Sequence, residues 1–403
     1  MKPWSEWRER LRGAQMSETR STRVGTTRLA GGTLAVAVLF GTSLTLGNVR
    51  PDEPIPERLS DSAFWALSNE LSEPAGYFRS DNLVGNEVTM QHPIPDLVAT
   101  TPRGGVYLGV GPDQNFTYIV AMRPKIAFIV DIRRLNVMQH LFYKALFELS
   151  PTRADFLSRI FARPRPAGLD TASSIEVMIN AYATVAADSL LYQRTLREMR
   201  DHLTKTRSIP LTDEEISGIE YVYTAFFSAG PELTYNFGTG RGGWNGRRFM
   251  PSYGSQLKET DASGVRHSYM ATDENYRFLQ DLERRNLIVP LTGDFAGPHA
   301  LRAVGNWVRA HDATITAMYT SNVEQYLFQS DDNWRRFFEN VATFPTSSQS
   351  TFIRALFNMG YQYSSGGAGP RSVTLLCPIE RHVKAFREGS IQSYFDVAGC
   401  PVK

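Results

Sequence analysis

Gly105-Val-Tyr-Leu-Gly-Val-Gly-Pro-Asp-Gln-Asn115, followed by Ile126-Ala-Phe-Ile-Val-Asp131, is the stretch whose reading decides the fold. Residues 105–110 read as a short buried strand that runs into glycines at 109 and 111. A helix is expected next, and a second apolar strand, 126–131, then closes on an acid about 20 residues after the glycines. Glycines let backbone approach a ligand closely, and a carboxylate at a strand tip can accept hydrogen bonds from both hydroxyls of a ribose. The spacing therefore predicts a site for an adenosine-bearing ligand.

Working outward, Leu135, Met138, Leu141, Phe142, Ala145, Leu146 and Leu149 recur at steps of three and four, the pattern of a helix packed on a sheet. Further strands are expected at 287–292, 314–319 and about 350–357, with helices at 298–311 and from near Asp331. Ahead of the glycine turn, helical patterns occupy 61–73 and 81–91, and the Pro- and acid-rich residues 48–60 read as a linker. This alternation predicts an α/β fold: a Rossmann-like, doubly wound, mostly parallel sheet. Residues 150–285 interrupt it as a helical insertion between the second and third strands, with helices near 174–203 and 212–227. The insertion also carries the run Phe237-Gly-Thr-Gly-Arg-Gly-Gly-Trp-Asn-Gly-Arg-Arg-Phe249, whose Arg241, Arg247 and Arg248 could meet an anion.

Composition sets limits. The 403 residues are 42% hydrophobic, enough for a large core, and 43 basic against 41 acidic residues leave a charge of +2, so no global field favours nucleic acid. The first 28 residues are rich in arginine, and Leu29 to Gly47 is uncharged, about the length of a membrane-crossing helix. Basic residues precede this segment and acids follow it, so residues 1–50 are expected to act as a signal or anchor placing the 51–403 domain outside the cytoplasm. If the segment is not a targeting signal, the protein is cytoplasmic. Cys377 and Cys400 are the two cysteines, either unrelated thiols or, in an exported domain, one disulfide stapling the tail.

Ligands of open α/β sheets gather at the carboxyl ends of strands, so the candidate residues are those lying there. They are Gly109, Gly111 and Asn115 from the first strand and Asp131 from the second. The later strands add Asp294 in Thr292-Gly-Asp-Phe-Ala-Gly297, and Ser321, Asn322, Glu324 and Tyr326 in Ser321-Asn-Val-Glu-Gln-Tyr326. Asp294, Glu324 and Tyr326 are candidates for a base or a substrate anchor. Asn82, Asn86 and Glu87 either lid the ligand or simply end a helix. Gln114 stands where a dinucleotide fingerprint wants its third glycine, which disfavours NAD. The sequence holds no P-loop, no G-x-S-x-G and no H-E-x-x-H, and its seven histidines are scattered, so no metal site is expected.

Gly109-Val-Gly111 with Asp131 resembles the cofactor half of class I S-adenosylmethionine-dependent methyltransferases. The motifs Tyr107–Thr117, Phe128–Arg134, Phe161–Pro166, Gly293–Pro298 and Ser321–Leu327 resemble an uncharacterised bacterial family with such a methyltransferase-like domain. Ser321-Asn-Val323 is also similar to the aminocarboxypropyl transferases that build betaine lipids. The resemblance implies S-adenosylmethionine as cofactor, with Gly109 and Gly111 passing the methionine part, Asp131 holding the ribose, and Asn115, Ser321 and Asn322 beside them. It implies a transferase, for which a small-molecule or lipid acceptor is expected; membrane attachment through residues 29–47 is a separate expectation from the uncharged segment itself. The Asp/Asn-Pro-Pro-Tyr signature of amino methylation is replaced by Ser321-Asn322, so nucleic acid is not the expected acceptor. The alternative is an exported or anchored binding protein that keeps the fold without catalysis.

Overall fold

In the computed structural model, which describes residues 54–237, 250–330, 332–357, 372–398 and 400, the expected strands join one sheet. They are β1 (Val106–Gly109), β2 (Ile126–Asp131), β3 (Ile288–Thr292), β4 (Ile315–Ser321), β5 (Thr351–Phe357) and β6 (Ser372–Pro378). Their order is β3-β2-β1-β4-β5-β6. The first five run parallel and β6 is antiparallel to β5. Every residue of β1, β2 and β3 is buried. Burial on both faces explains why these strands read as unbroken apolar runs rather than as alternating ones.

The chain moves outward from β1 to β3, then returns to the other side of β1 as β4. Neighbouring β1 and β4 thus send their following segments in opposite directions, and a crevice opens at their carboxyl ends. Helix Arg134–Leu149 packs against the sheet with twelve of its residues buried, and its neighbours in the insertion include helix Asp213–Ala229, opened by a Thr212–Glu215 capping box. Between β2 and β3 the described residues form helices and connecting segments.

Two expectations are corrected, and one strand is new. Residues 81–91 are not a helix: Asn82 and Thr89 have φ of 52° and 62°, Leu83 and Val84 are fully buried, and the backbone N–H groups of Leu83 and Val88 donate to Tyr235 O and Ser372 Oγ. Distant partners here outbid the local helical ladder. The helix expected over 174–203 is two, Ile175–Thr184 and Ser189–Asp201, because Asp188 turns its carboxylate onto the N–H groups of Leu190 and Leu191 and restarts the chain. Strand β6 was not foreseen.

Cys377 on β6 is paired with Cys400, their Cα atoms 5.5 Å apart. Residues 1–50, the Gly-Arg run with Arg241, Arg247 and Arg248, and Asp331 lie outside the described residues; the helix expected from near Asp331 begins at Asn333. Among the described residues no helix is long and apolar enough to cross a membrane.

Candidate functional site

A cavity of about 260 Å³ lies at the carboxyl ends of β1 to β4. Six of the nine expected site residues line it: Gly111, Asp131, Asp294, Ser321, Asn322 and Tyr326. They come from four separate strand ends, and Asn82 and Asn86 join them from the segment before β1. Phe295, Val323 and the edge-to-face pair Phe78 and Tyr326, 5.3 Å between centroids, make the apolar walls. Gly109, Asn115 and Glu324 do not line it.

The glycine turn is built for the side chain of Asn115. Its amide donates to the carbonyls of Val110, Gly111 and Pro112 at 2.9, 3.2 and 2.7 Å, and its Oδ1 accepts from Tyr107 Oη at 3.0 Å. A Cβ on Gly109 would stand 1.9 Å from that Oδ1, so glycine is required there by the turn itself. Asn115 is fully buried, with both ends committed to the turn. Gly111, at φ +80°, is the glycine that meets the cavity, and its carbonyl accepts from Nε2 of the buried His140. Burial pushes that imidazole down to about 4, so it is neutral and acts as a donor.

Asp131 is 3% exposed and already engaged. The Arg133 side chain grips both carboxylate oxygens, Nε to Oδ1 at 3.0 Å and Nη2 to Oδ2 at 2.8 Å, and the Arg133 N–H adds a bond to Oδ1 at 2.9 Å. The same guanidinium donates to the carbonyl of Asp81, strapping the 80–82 segment over the strand end. Oδ2 takes one of these three bonds and keeps room for a hydroxyl donor.

Ser321 ends β4 where the pairing with β5 slips by one residue, and its φ is +50°. Its hydroxyl donates to Glu87 Oε1 at 2.5 Å, and Tyr319 Oη donates to the same oxygen. Gln114 Nε2 donates to Tyr319 Oη at 3.0 Å, while Gln114 Oε1, in the cavity-lining residue, is buried without a partner. Glu87 is 1% exposed, and burial, against the hydroxyls of Ser321 and Tyr319, raises its carboxyl to about 7. It was read from sequence as a lid or helix-end residue. Its apolar neighbours Leu83 and Val84 hinted at burial, but only the fold shows what it meets.

Glu324 faces away into the structure. Arg354 holds it through Nε at 2.6 Å and Nη2 at 2.9 Å, and Arg354 in turn contacts His382 Nε2 at 2.7 Å. Burial raises its carboxyl against that ion pair, whose geometry assigns it to joining β5 with the segment after β4. Asp294 Oδ1 accepts from the N–H of Ala296 at 2.9 Å, and the residue lines the cavity. Among the described residues no cluster of three or more His, Cys, Asp or Glu side chains could hold a metal ion.

A family model described as a domain of unknown function, DUF7790, matches residues 83–217 and 237–374. The chain belongs to that family. The match spans both the strands that form the cavity and most of the helical insertion. No curated protein matches this sequence.

Proposed function

We propose that this DUF7790 protein binds S-adenosylmethionine in the cavity at the carboxyl ends of β1 to β4 and acts as a transferase toward a small-molecule or lipid acceptor. The observation that carries the reading is the convergence of Gly111, Asp131, Asp294, Ser321, Asn322 and Tyr326, chosen for their places along the sequence, on one cavity. The strand order, with its reversal between β1 and β4, supports a Rossmann-like, doubly wound and methyltransferase-like fold.

The residues present fit the cofactor. Gly111 would pass the methionine part, with the unpartnered Gln114 Oε1 as acceptor for its ammonium group. Asp131 Oδ2 would accept a ribose hydroxyl while Arg133 holds the carboxylate in place. Phe295 and Tyr326 offer aromatic surface to a base. When bound, the sulfonium supplies an activated methyl or alkyl carbon. The protein's own part is alignment of the acceptor and exclusion of water, tasks for Asn322, Asp294 and the apolar walls.

Thermal unfolding of the full chain with and without S-adenosylhomocysteine tests this. Ligand at about 100 times its dissociation constant adds about 2.7 kcal/mol, a rise of roughly 4 °C. No rise in the folded protein would refute the reading.

A second reading is an exported or anchored binding protein without catalysis. It is favoured by the Cys377–Cys400 disulfide, a bond of oxidising compartments, and by the prior engagement of Asp131. A C-terminal reporter active only outside the cytoplasm would support it; one active only inside would exclude it.

A further inference from the structure

Behind the cavity wall, one hydrogen bond away from the lining residue Ser321, lies a buried carboxyl. Glu87 is buried, two hydroxyls donate to its Oε1, and its Oε2 has no hydrogen-bond partner. Glu324, by contrast, is held at both oxygens by the Arg354 guanidinium and is turned away from the cavity. Ser321, which connects Glu87 to the cavity, is held in the left-handed region at φ +50° by the register slip that ends β4. A non-glycine residue in that region costs on the order of 1 kcal/mol or more and persists where the surroundings demand it. The result of that strain is a serine that lines the cavity while its hydroxyl points at Glu87.

We propose that Ser321 and Glu87 form a proton-withdrawing pair, so that the acceptor in this cavity is a neutral group that must lose a proton, a hydroxyl or an amine. The inference rests on the transferase reading above. In the step, the acceptor's oxygen or nitrogen forms a bond to the activated carbon of the sulfonium donor as the carbon–sulfur bond breaks, and its electron pair returns to sulfur as a neutral thioether. The acceptor's proton passes to Ser321 Oγ, and the serine's own proton passes to Glu87 Oε1. Ser321 faces the acceptor; Glu87 acts through it as the positioning residue and final proton holder.

Other titratable groups face Glu87 from each neighbouring element. Tyr107 of β1, Tyr118 of helix Gln114–Met122 and Tyr319 of β4 are all pushed up by burial and then by the Glu87 charge, so they stay neutral. Glu259, following helix Tyr253–Lys258, is raised to about 7, by burial first and then, among the charges, by Glu87. No cation stands among these neighbours, which suits a carboxyl that must take up a proton near neutrality.

Infrared difference spectroscopy of the full chain carrying ¹³C-labelled glutamate tests the pair without a known acceptor. Subtracting the Glu87→Gln spectrum isolates the Glu87 carboxyl from Glu259. The expected result is a protonated-acid band titrating with a midpoint near 7. Ser321→Gly removes the hydroxyl while accepting the left-handed backbone, so the variant folds, and its midpoint should rise because a donor to the carboxylate is lost. Saturating S-adenosylhomocysteine should also move the midpoint. A band titrating near the ordinary carboxylate range, or a midpoint unmoved by Ser321→Gly, overturns the pair. If calorimetry shows that S-adenosylhomocysteine does not bind while the midpoint still responds to Ser321→Gly, the cofactor reading fails and the pair stands as an acid and base unit for a different ligand.

Discussion

Arg133 changes what Asp131 can do. With three hydrogen bonds from one residue, the carboxylate is a fixed, neutralised feature of the cavity floor rather than a free anion. Both side chains are nearly buried, so breaking the pair leaves one charge stranded. Arg133→Leu should cost about 3–5 kcal/mol in urea unfolding, and adding Asp131→Leu should restore much of that loss. A single-variant cost below about 1 kcal/mol would show the pair to be solvated and weak. The glycines teach a related lesson. Their spacing was legible in the sequence, yet Gly109 is demanded by Asn115 Oδ1, and of the pair Gly109 and Gly111 it is Gly111 that meets the cavity. Sequence marks where a side chain is missing; which neighbour needs the space is a tertiary fact.

At the scale of elements, strands buried on both faces announced themselves, and β1 to β5 were all legible as apolar runs. Strand β6 was not, since Ser372, Thr374 and Pro378 dilute its apolar content and its partner β5 lies across a long connection. The segment 81–91 misled because its local pattern is helical while Tyr235 and Gln139 tie the backbone of Leu83 elsewhere. The meeting of Glu87 with β4 was hidden with it, since a helix there gave its side chain no reason to reach Tyr319 and Ser321. The tail is held to β6 by the disulfide, across a separation of 23 residues. Cys400→Ser should lower stability by about 3 kcal/mol, and a reductant should lower the wild type but not the variant. Equal stability of the two under oxidising conditions would show that the bond does not hold the tail.

The molecule as a whole carries several buried acids, and they set its response to pH. Burial raises Glu87 and Asp113 to about 7, and Glu283 to about 8. A raised folded value means that the native state binds protons the unfolded state has released, so stability falls as pH rises between the unfolded values, about 4, and these folded ones. Glu148 runs the other way. Burial would raise it, but the His202 hydrogen bond, the Lys144 charge and the Arg207 hydrogen bond together take it to about 2, so its contribution is present above pH 4.5 and lost as pH falls toward 2. Urea midpoints should therefore peak near pH 4 to 5 and decline to about pH 8, with Glu87 alone contributing on the order of 3 kcal/mol to the decline. Glu87→Gln should flatten the curve; a midpoint rising from pH 5 to 8 would contradict this assignment of the buried acids.

The central claim, one cofactor site where four strand ends meet, is tested most directly by titration calorimetry of the full chain with S-adenosylhomocysteine, beside Val323→Trp, which fills the cavity from its apolar wall. The account predicts saturable binding at a single site in the parent protein and none in the filled variant. No heat in a folded parent, or binding unchanged by the tryptophan, would contradict it.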